Sequence, residues 1–285
     1  MSDKIDLDNP DIQKQIAKAI INGIDAYAIV TYDGGHRNHL GASIIGDECS
    51  RKIYYTYRWV KQATFDGRMQ RLLKRGHLEE LRYIEYLRGL GFTVTDKDAQ
   101  IKISDCNGHF GGSLDGIVSF PAAWNISGNF LVEYKTKGTG AGFNKLVDKG
   151  VRLTSPEHWA QQCVYGYKQN LTHSIYFSVN KNDDTIHCEF VKLDHGLGQD
   201  MIRKADRIIN DPKPPEKYSQ QVTNFKCRGC TFVGICHNNE PIEKNCRSCK
   251  ASRPVANAEW YCEHYNNIIP KEFIKTGCDS YEPIC

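Results

Sequence analysis

Apolar residues recur at helical spacing over residues 10–30 and predict a helix that opens Pro10-Asp-Ile-Gln-Lys-Gln-Ile-Ala. Asp33-Gly-Gly-His-Arg-Asn-His-Leu40 reads as a loop by composition. Ser43 to Trp59 predicts a capped helix that mixes aromatic and basic side chains, a face suited either to a DNA backbone or to a protein core. The most regular helical pattern runs from Arg68 to Leu90. Leu73, Gly76, Ile84 and Leu87 share one stripe with Glu80 in its middle. Glu79 is rotated off that stripe, toward solvated pairing with Arg75 or Arg82. A lone carboxylate on a core-facing stripe is costly unless it is paired or metal-bound, so helical phase selects Glu80 over Glu79.

Ile101 to Gly138 changes period. Two apolar runs, Gly-Gly-Ser-Leu-Asp115-Gly-Ile-Val and Phe-Leu-Val-Glu133-Tyr134-Lys135, flank a turn rich in Pro, Asn and Gly and predict a strand pair. Side chains alternate along a strand, so Glu133 and Lys135 share a face. A neighbouring strand that brings Asp115 to that face gathers two carboxylates and an ammonium. Carboxylates so placed repel unless a hard divalent cation such as Mg²⁺ neutralises them. The plainer alternative is a solvated hairpin with scattered charges.

Thr154-Ser-Pro-Glu157 has the form of a capping box with an early Pro. It opens a helix in which Gln161 and Tyr165 share a face at i, i+4. Ser174–Asn180 and Thr185–Leu193 read as strands joined through Asn182–Asp184. An amphipathic helix over Gly198–Asn210 leads to the stiff linker Asp211-Pro-Lys-Pro-Pro-Glu. The order predicts an α/β fold with a mixed central sheet flanked by helices, followed by a cysteine-rich, metal-binding C-terminal region. Its divisions are an N-terminal helical segment, 1–66, carrying Cys49; a core, 67–211; and a tail, 212–285.

The 285 residues suffice for one large domain or two small ones. With 40% hydrophobic and 25% charged residues, the composition is that of an ordinary globular protein. No apolar run reaches membrane-spanning length and Met1-Ser-Asp-Lys-Ile-Asp6 lacks a secretory core, which predicts an intracellular protein without a membrane partner. A net charge of +3 permits a nucleic-acid partner without demanding one.

Cysteine usage is more telling. Of twelve, eight lie between Cys227 and Cys285. In an intracellular chain, clustered CxxC pairs point to metal rather than disulfides. Cys246-x2-Cys249-x12-Cys262-x15-Cys278 reads as a zinc-ribbon-like structural site, with His264 able to replace Cys262 or Cys278. Arg247, Lys250 and Arg253 in this tail are candidate phosphate contacts. Unliganded thiols in a loop are the alternative. Cys106, Cys163 and Cys188 are expected to pack as small apolar groups, and Cys285 to be a frayed end.

Glu80, Asp115 and Glu133 can hold one or two Mg²⁺ or Mn²⁺ ions, with the Tyr134 carbonyl completing the shell. Such a metal lowers the pKa of its water and neutralises a phosphorane's charge, while Lys135 orients that water or stabilises the same charge. The chemistry that fits is phosphodiester hydrolysis. At these residues the chain resembles the PD-(D/E)xK nuclease superfamily. Asp115 with Glu133-Tyr-Lys135 resembles its core motif, and Gly76-His-Leu-Glu-Glu80 the upstream motif of the RecB-like and phage exonuclease branch. Gln161-Gln-Cys-Val-Tyr165 is similar to that branch's QxxxY motif, which is associated with DNA positioning. The order agrees across residues 43–193, and the Ser43–Arg58 segment is most similar to lambda- and YqaJ-type recombination exonucleases.

Further expectations come from the resemblance alone. It implies a restriction-endonuclease-like fold and makes Glu80, Asp115, Glu133, Lys135, Gln161 and Tyr165 the catalytic set. Cys227-x2-Cys230-x5-Cys236 with Cys49 upstream resembles the iron–sulfur arrangement of RecB-like nucleases, implying a [4Fe–4S] cluster, with Zn²⁺ on the same thiolates as the alternative. The implied activity is a metal-dependent DNA exonuclease of phage-type recombination in the host cytoplasm, with DNA and a single-strand annealing protein as its implied partners. A structure-specific or restriction-type endonuclease and a non-catalytic, metal-stapled DNA-binding module are the competing readings. Polarity, strand preference and the choice between a toroidal trimer and a monomer stay open.

Overall fold

A computed structural model describes residues 7–32, 34–95, 101–138 and 140–285. The N-terminal Met1–Asp6 and Asp33, which heads the predicted loop, lie outside the described residues. The chain divides into two compact units, Met1–Gly35 with Ala63–Glu79, and His36–Gln62 with Glu80–Cys285.

The first unit pairs α1 (Pro10–Tyr32) with the opening turns of α3 (Gly67–Gly89). Gly67 lets the two backbones touch, because a Cβ there would stand 2.4 Å from the Asp25 Cα. Arg71 then pairs with Asp25, and the Lys74 ammonium lies 5.7 Å from the centre of the Tyr32 ring.

The second unit is built on a mixed sheet of strand order β2-β5-β6-β7-β8 (Thr93–Thr95, Gly116–Ser119, Asn129–Lys137, His173–Asn180 and Ile186–Lys192). Among the described pairings within this sheet only β6 and β7 run parallel. A parallel pair needs a crossover, supplied here by α4 (Gly140–Thr154) and α5 (Pro156–Gln169). Helices flank this sheet, as the sequence predicts. Tyr83, Ile84 and Leu87 of α3 pack with Val118, Val132, Tyr134 and Ile175 on one face. The other face meets α5 and α6 (His195–Asn210) in the largest core, which also holds Leu131, Val164, Ile208 and the aromatic residues of α2 (Ser50–Tyr57). A smaller sheet orders β1 (Leu40–Gly41), β4 (Phe110–Ser113) and β3 (Lys102–Asp105). The tail carries the short helices α7 (Phe225–Arg228), α8 (Val233–Asn238) and α9 (Lys271–Ile274). It also carries a three-stranded sheet of β9 (Ser252–Pro254), β10 (Trp260–Cys262) and β11 (Asn267–Ile268).

Several local readings change. The helix expected from Ser43 begins only at Ser50, because Cys49 caps it by accepting from the Lys52 N–H. Tyr54, Tyr55, Tyr57, Arg58 and Trp59 are buried, so the aromatic side of this segment is core, while Lys52 stays exposed. Thr154 opens no capping box: it closes α4, and Ser155 becomes the N-cap of α5 with its hydroxyl turned to Lys137. Leu73 stays 48% exposed, so the apolar stripe of α3 faces a core only from Tyr83 onward. Glu79 is buried, not solvated, although it does pair with Arg75 at 3.6 Å.

Candidate active site

The β5–β6 hairpin sets the geometry. Gly116 pairs with Val132, which brings Asp115, one residue earlier, level with Glu133. The Tyr134 N–H donates to Asp115 Oδ2 at 2.9 Å. Alternation along β6 points Val132 and Tyr134 toward α3, while Glu133 and Lys135 point to the α5 side, where the Lys135 ammonium bonds Glu133 Oε1. Glu133 is fully buried and its Oε2 has no hydrogen-bond partner among the described residues. An orphaned carboxylate oxygen beside a second acid is a costly arrangement for an empty core.

The electrostatics follow. Burial pushes the Asp115 carboxyl up to about 8, and the charges of Glu133 and Glu80 push the same way against Lys135 and the Tyr134 amide. Burial also raises Glu133, with Lys135 opposing. Burial works against the Lys135 ammonium, but the Glu133 and Asp115 carboxylates outweigh it and hold the amine above its ordinary value. Glu80, on α3, thus acts electrostatically on both Asp115 and Glu133.

From α5, Gln161 donates to the Tyr165 hydroxyl at 3.3 Å, and both are buried. Burial, then the Glu133 charge, raises the Tyr165 phenol, placing the pair in the field of the acids. Gly112 of β4 makes room for it: a Cβ there would meet the Tyr165 hydroxyl at 2.5 Å. The Tyr134 main chain contributes its N–H to the site, and its ring stacks on Tyr83 and Phe177 on the opposite face.

A second group escaped sequence reasoning. Lys137, two residues beyond Lys135, donates to Ser155 Oγ at 3.1 Å. Nearby, His158 Nδ1 lies 3.0 Å from the Tyr176 hydroxyl. Burial, then Lys135 and Lys137, lowers His158 to about 3 and keeps it neutral. The i, i+2 spacing of Lys135 and Lys137 on a predicted strand was the available signal.

The structure brings each cysteine set together. Cys49, Cys227, Cys230 and Cys236 line one cavity of about 560 Å³, with Arg51, Lys52 and Lys226 at its walls. Lys52 N–H points at Cys49 Sγ (3.4 Å) and Phe232 N–H at Cys230 Sγ (3.5 Å). Cys246, Cys249, Cys262, Cys278 and His264 line another. Among the described residues no three His, Cys, Asp or Glu side chains form a preformed metal-binding group, so these are neighbourhoods of donors and not closed shells.

Other expectations for the cysteines and the basic tail are corrected. Cys163 is buried and Cys106 packs against the main core, but Cys188 is exposed on the edge strand β8. Cys285 is tied down: Ile284 N–H bonds Ser248 C=O at 3.1 Å, and the Cys285 thiol lies against the Tyr55 hydroxyl. Arg247 cannot reach phosphate, because it is buried with its guanidinium 4.3 to 4.8 Å from the ring centres of Tyr57, Trp59 and Trp260. Arg253 is taken up by Glu263 at 3.0 Å.

Among solved structures, the chain is similar to the crystal structure of SSO0001, at 16% identity over 76% of this chain and 96% of that one, with a TM-score of 0.46. It is also similar to LHK-Exo in complex with dAMP, at 16% identity over 65% of this chain and 89% of that one, TM-score 0.43. A further structure, an alkaline exonuclease (LHK-Exo) from Laribacter hongkongensis, has the same identity and coverage and a TM-score of 0.41. No protein-family model and no curated protein matches the chain. No helix among the described residues is long and apolar enough to cross a membrane.

Proposed function

We propose that the protein is a divalent-metal-dependent deoxyribonuclease that hydrolyses phosphodiester bonds, acting from DNA ends. The observation that carries the reading is the Asp115–Glu133–Lys135 group around the fully buried Glu133, whose Oε2 has no hydrogen-bond partner among the described residues. That oxygen and the mutual repulsion of the acids fit a hard cation held by Glu80, Asp115 and Glu133 with the main chain at Tyr134. When bound, Mg²⁺ or Mn²⁺ supplies charge neutralisation and a more acidic water.

The chain's own residues do the rest. Lys135 keeps its proton in the field of two carboxylates and is 26% exposed, so its ammonium can also donate to a phosphate oxygen where charge builds in the transition state. Gln161 and Tyr165 fix each other and offer positioning hydrogen bonds from α5. Action from an end rests on the motif resemblance of Glu80, Gln161 and Tyr165. The first cysteine set is read as a [4Fe–4S] site. Its cavity is far larger than one ion needs, and its backbone amides already point at two of the sulfurs.

The test is digestion of linear and covalently closed duplex DNA with Mg²⁺. Loss of linear DNA only is expected. Nicked circles would identify an endonuclease, and no cleavage by fully metallated protein would leave a DNA-binding module. Anaerobic purification should give a brown, iron-containing protein, whereas a colourless zinc protein would reverse the assignment at Cys49, Cys227, Cys230 and Cys236.

A further inference from the structure

The last 40 residues contain a group of thiols that the nuclease reading does not use. Cys246 and Cys249 flank a tight turn closed by the Cys249 N–H on the Cys246 C=O at 3.2 Å. Cys262 ends β10 in register with Ser252, three residues past Cys249. Cys278 returns from α9 across Gly277, whose φ of +68° and close approach to Asn245 suit glycine. The Cys246 N–H bonds the Ile274 C=O at 2.8 Å, and the Cys246 thiol donates to the Phe273 C=O at 3.4 Å.

Four thiols from three separate stretches therefore face one cavity, and its volume is about 20 Å³. That is room for a single ion or water, against about 560 Å³ at the first set. Four sulfurs are already a full set for one ion, and His264, which lines the same cavity, has its ring packed edge-on against that of Tyr265. Strands of three, three and two residues are too short to hold the loop from 246 to 278 on their own. Soft thiolates, once drawn together around an ion, select zinc over the hard cations of the carboxylate site.

We propose that Cys246, Cys249, Cys262 and Cys278 bind one structural zinc ion as a tetrathiolate, with His264 outside the shell. The site reaches back into the nuclease unit. Arg58, at the C-cap of α2, donates to the Cys249 C=O at 2.7 Å, and Cys49 caps the other end of the same helix. The zinc knuckle thereby anchors the helix that presents Cys49 to the first set.

Metal analysis of the full-length protein tests the proposal independently of nuclease activity. Wild-type protein is expected to hold about one zinc per chain, retained in Cys227→Ser and His264→Ala and reduced to under roughly a tenth in Cys246→Ser and Cys278→Ser. If the serine variants fail to fold, wild-type protein produced with cobalt in zinc-depleted medium gives the second readout. Its visible spectrum should be that of a tetrahedral tetrathiolate, unchanged by His264→Ala and abolished by added zinc. Absence of zinc from wild type, iron on these thiols, zinc that survives Cys246→Ser, or a cobalt spectrum altered by His264→Ala would each overturn it.

Discussion

The backbone N–H of Tyr134 donates to Asp115 Oδ2 at 2.9 Å, so the strand that carries Glu133 and Lys135 also holds the neighbouring acid in place. The acids are thereby fixed by the hairpin before any ligand arrives. Lys135→Ala is expected to leave the fold and DNA affinity intact and to slow cleavage by about 10²–10³-fold. Circular dichroism, gel shift and single-turnover digestion read the three separately. Cleavage at the wild-type rate would mean that Lys135 has no part in the chemistry.

The raised Asp115 carboxyl makes stability depend on pH in a definite direction. The folded, metal-free protein releases this proton near pH 8, whereas the unfolded chain releases it near about 3.9. Between these values the folded state binds the extra proton, so stability falls as pH rises and levels off above about 8. Melting temperatures without added divalent cation should show this fall. Asp115→Asn should flatten it, and Mn²⁺ should stabilise the wild type more at about pH 8 than at about pH 6. An equal slope in the asparagine variant would remove Asp115 from the account.

Gly112 is the complement of Tyr165. Adding a methyl group puts Cβ 2.5 Å from the hydroxyl and 3.1 Å from the ring Cε1. Gly112→Ala is expected to cost about 1–3 kcal/mol and to slow cleavage with little loss of DNA binding. Tyr165→Phe in that background removes the worst contact and should restore part of the stability but not the rate. Denaturant titration of the two single variants and the double variant would show the coupling; strict additivity would contradict it.

Arg247 is a structural cation. Its guanidinium donates to the Arg37 and Asn38 carbonyls at 3.2 and 3.1 Å within the three-ring cage. Arg247→Ala should destabilise by about 3–5 kcal/mol, and Lys should not rescue it because it lacks the planar fork. The salt dependence of DNA binding should stay unchanged, where loss of a phosphate contact would lower its slope.

What the chain reveals unaided depends on how local the cause is. The central hairpin was legible because alternation fixes the shared face of Glu133 and Lys135, and β6 keeps that alternation in the fold. The grounds for choosing Glu80 were partly mistaken. Leu73, counted as core-facing, lies exposed, and the real apolar anchors of α3 are Tyr83, Ile84 and Leu87. The capping of α2 by a thiol and the room at Gly112 depend on partners that no spacing rule reveals. Arg247 misleads most: a basic residue beside a CxxC looks solvent-facing until Tyr57 and Trp59, almost 200 positions upstream, fold over it.

Helix α2 has an implication for how the protein is made. Its N-cap thiol shares a cavity with Cys227, Cys230 and Cys236, and its C-cap arginine bonds the carbonyl of Cys249. Every one of those partners is synthesised long after the helix itself. α2 caps its own N-terminus through Cys49, but the carbonyl that the Arg58 side chain bonds is made only with Cys249. A chain truncated before Cys227 would therefore lack the partners at either end of α2, whatever the state of the hairpin that carries Asp115 and Glu133.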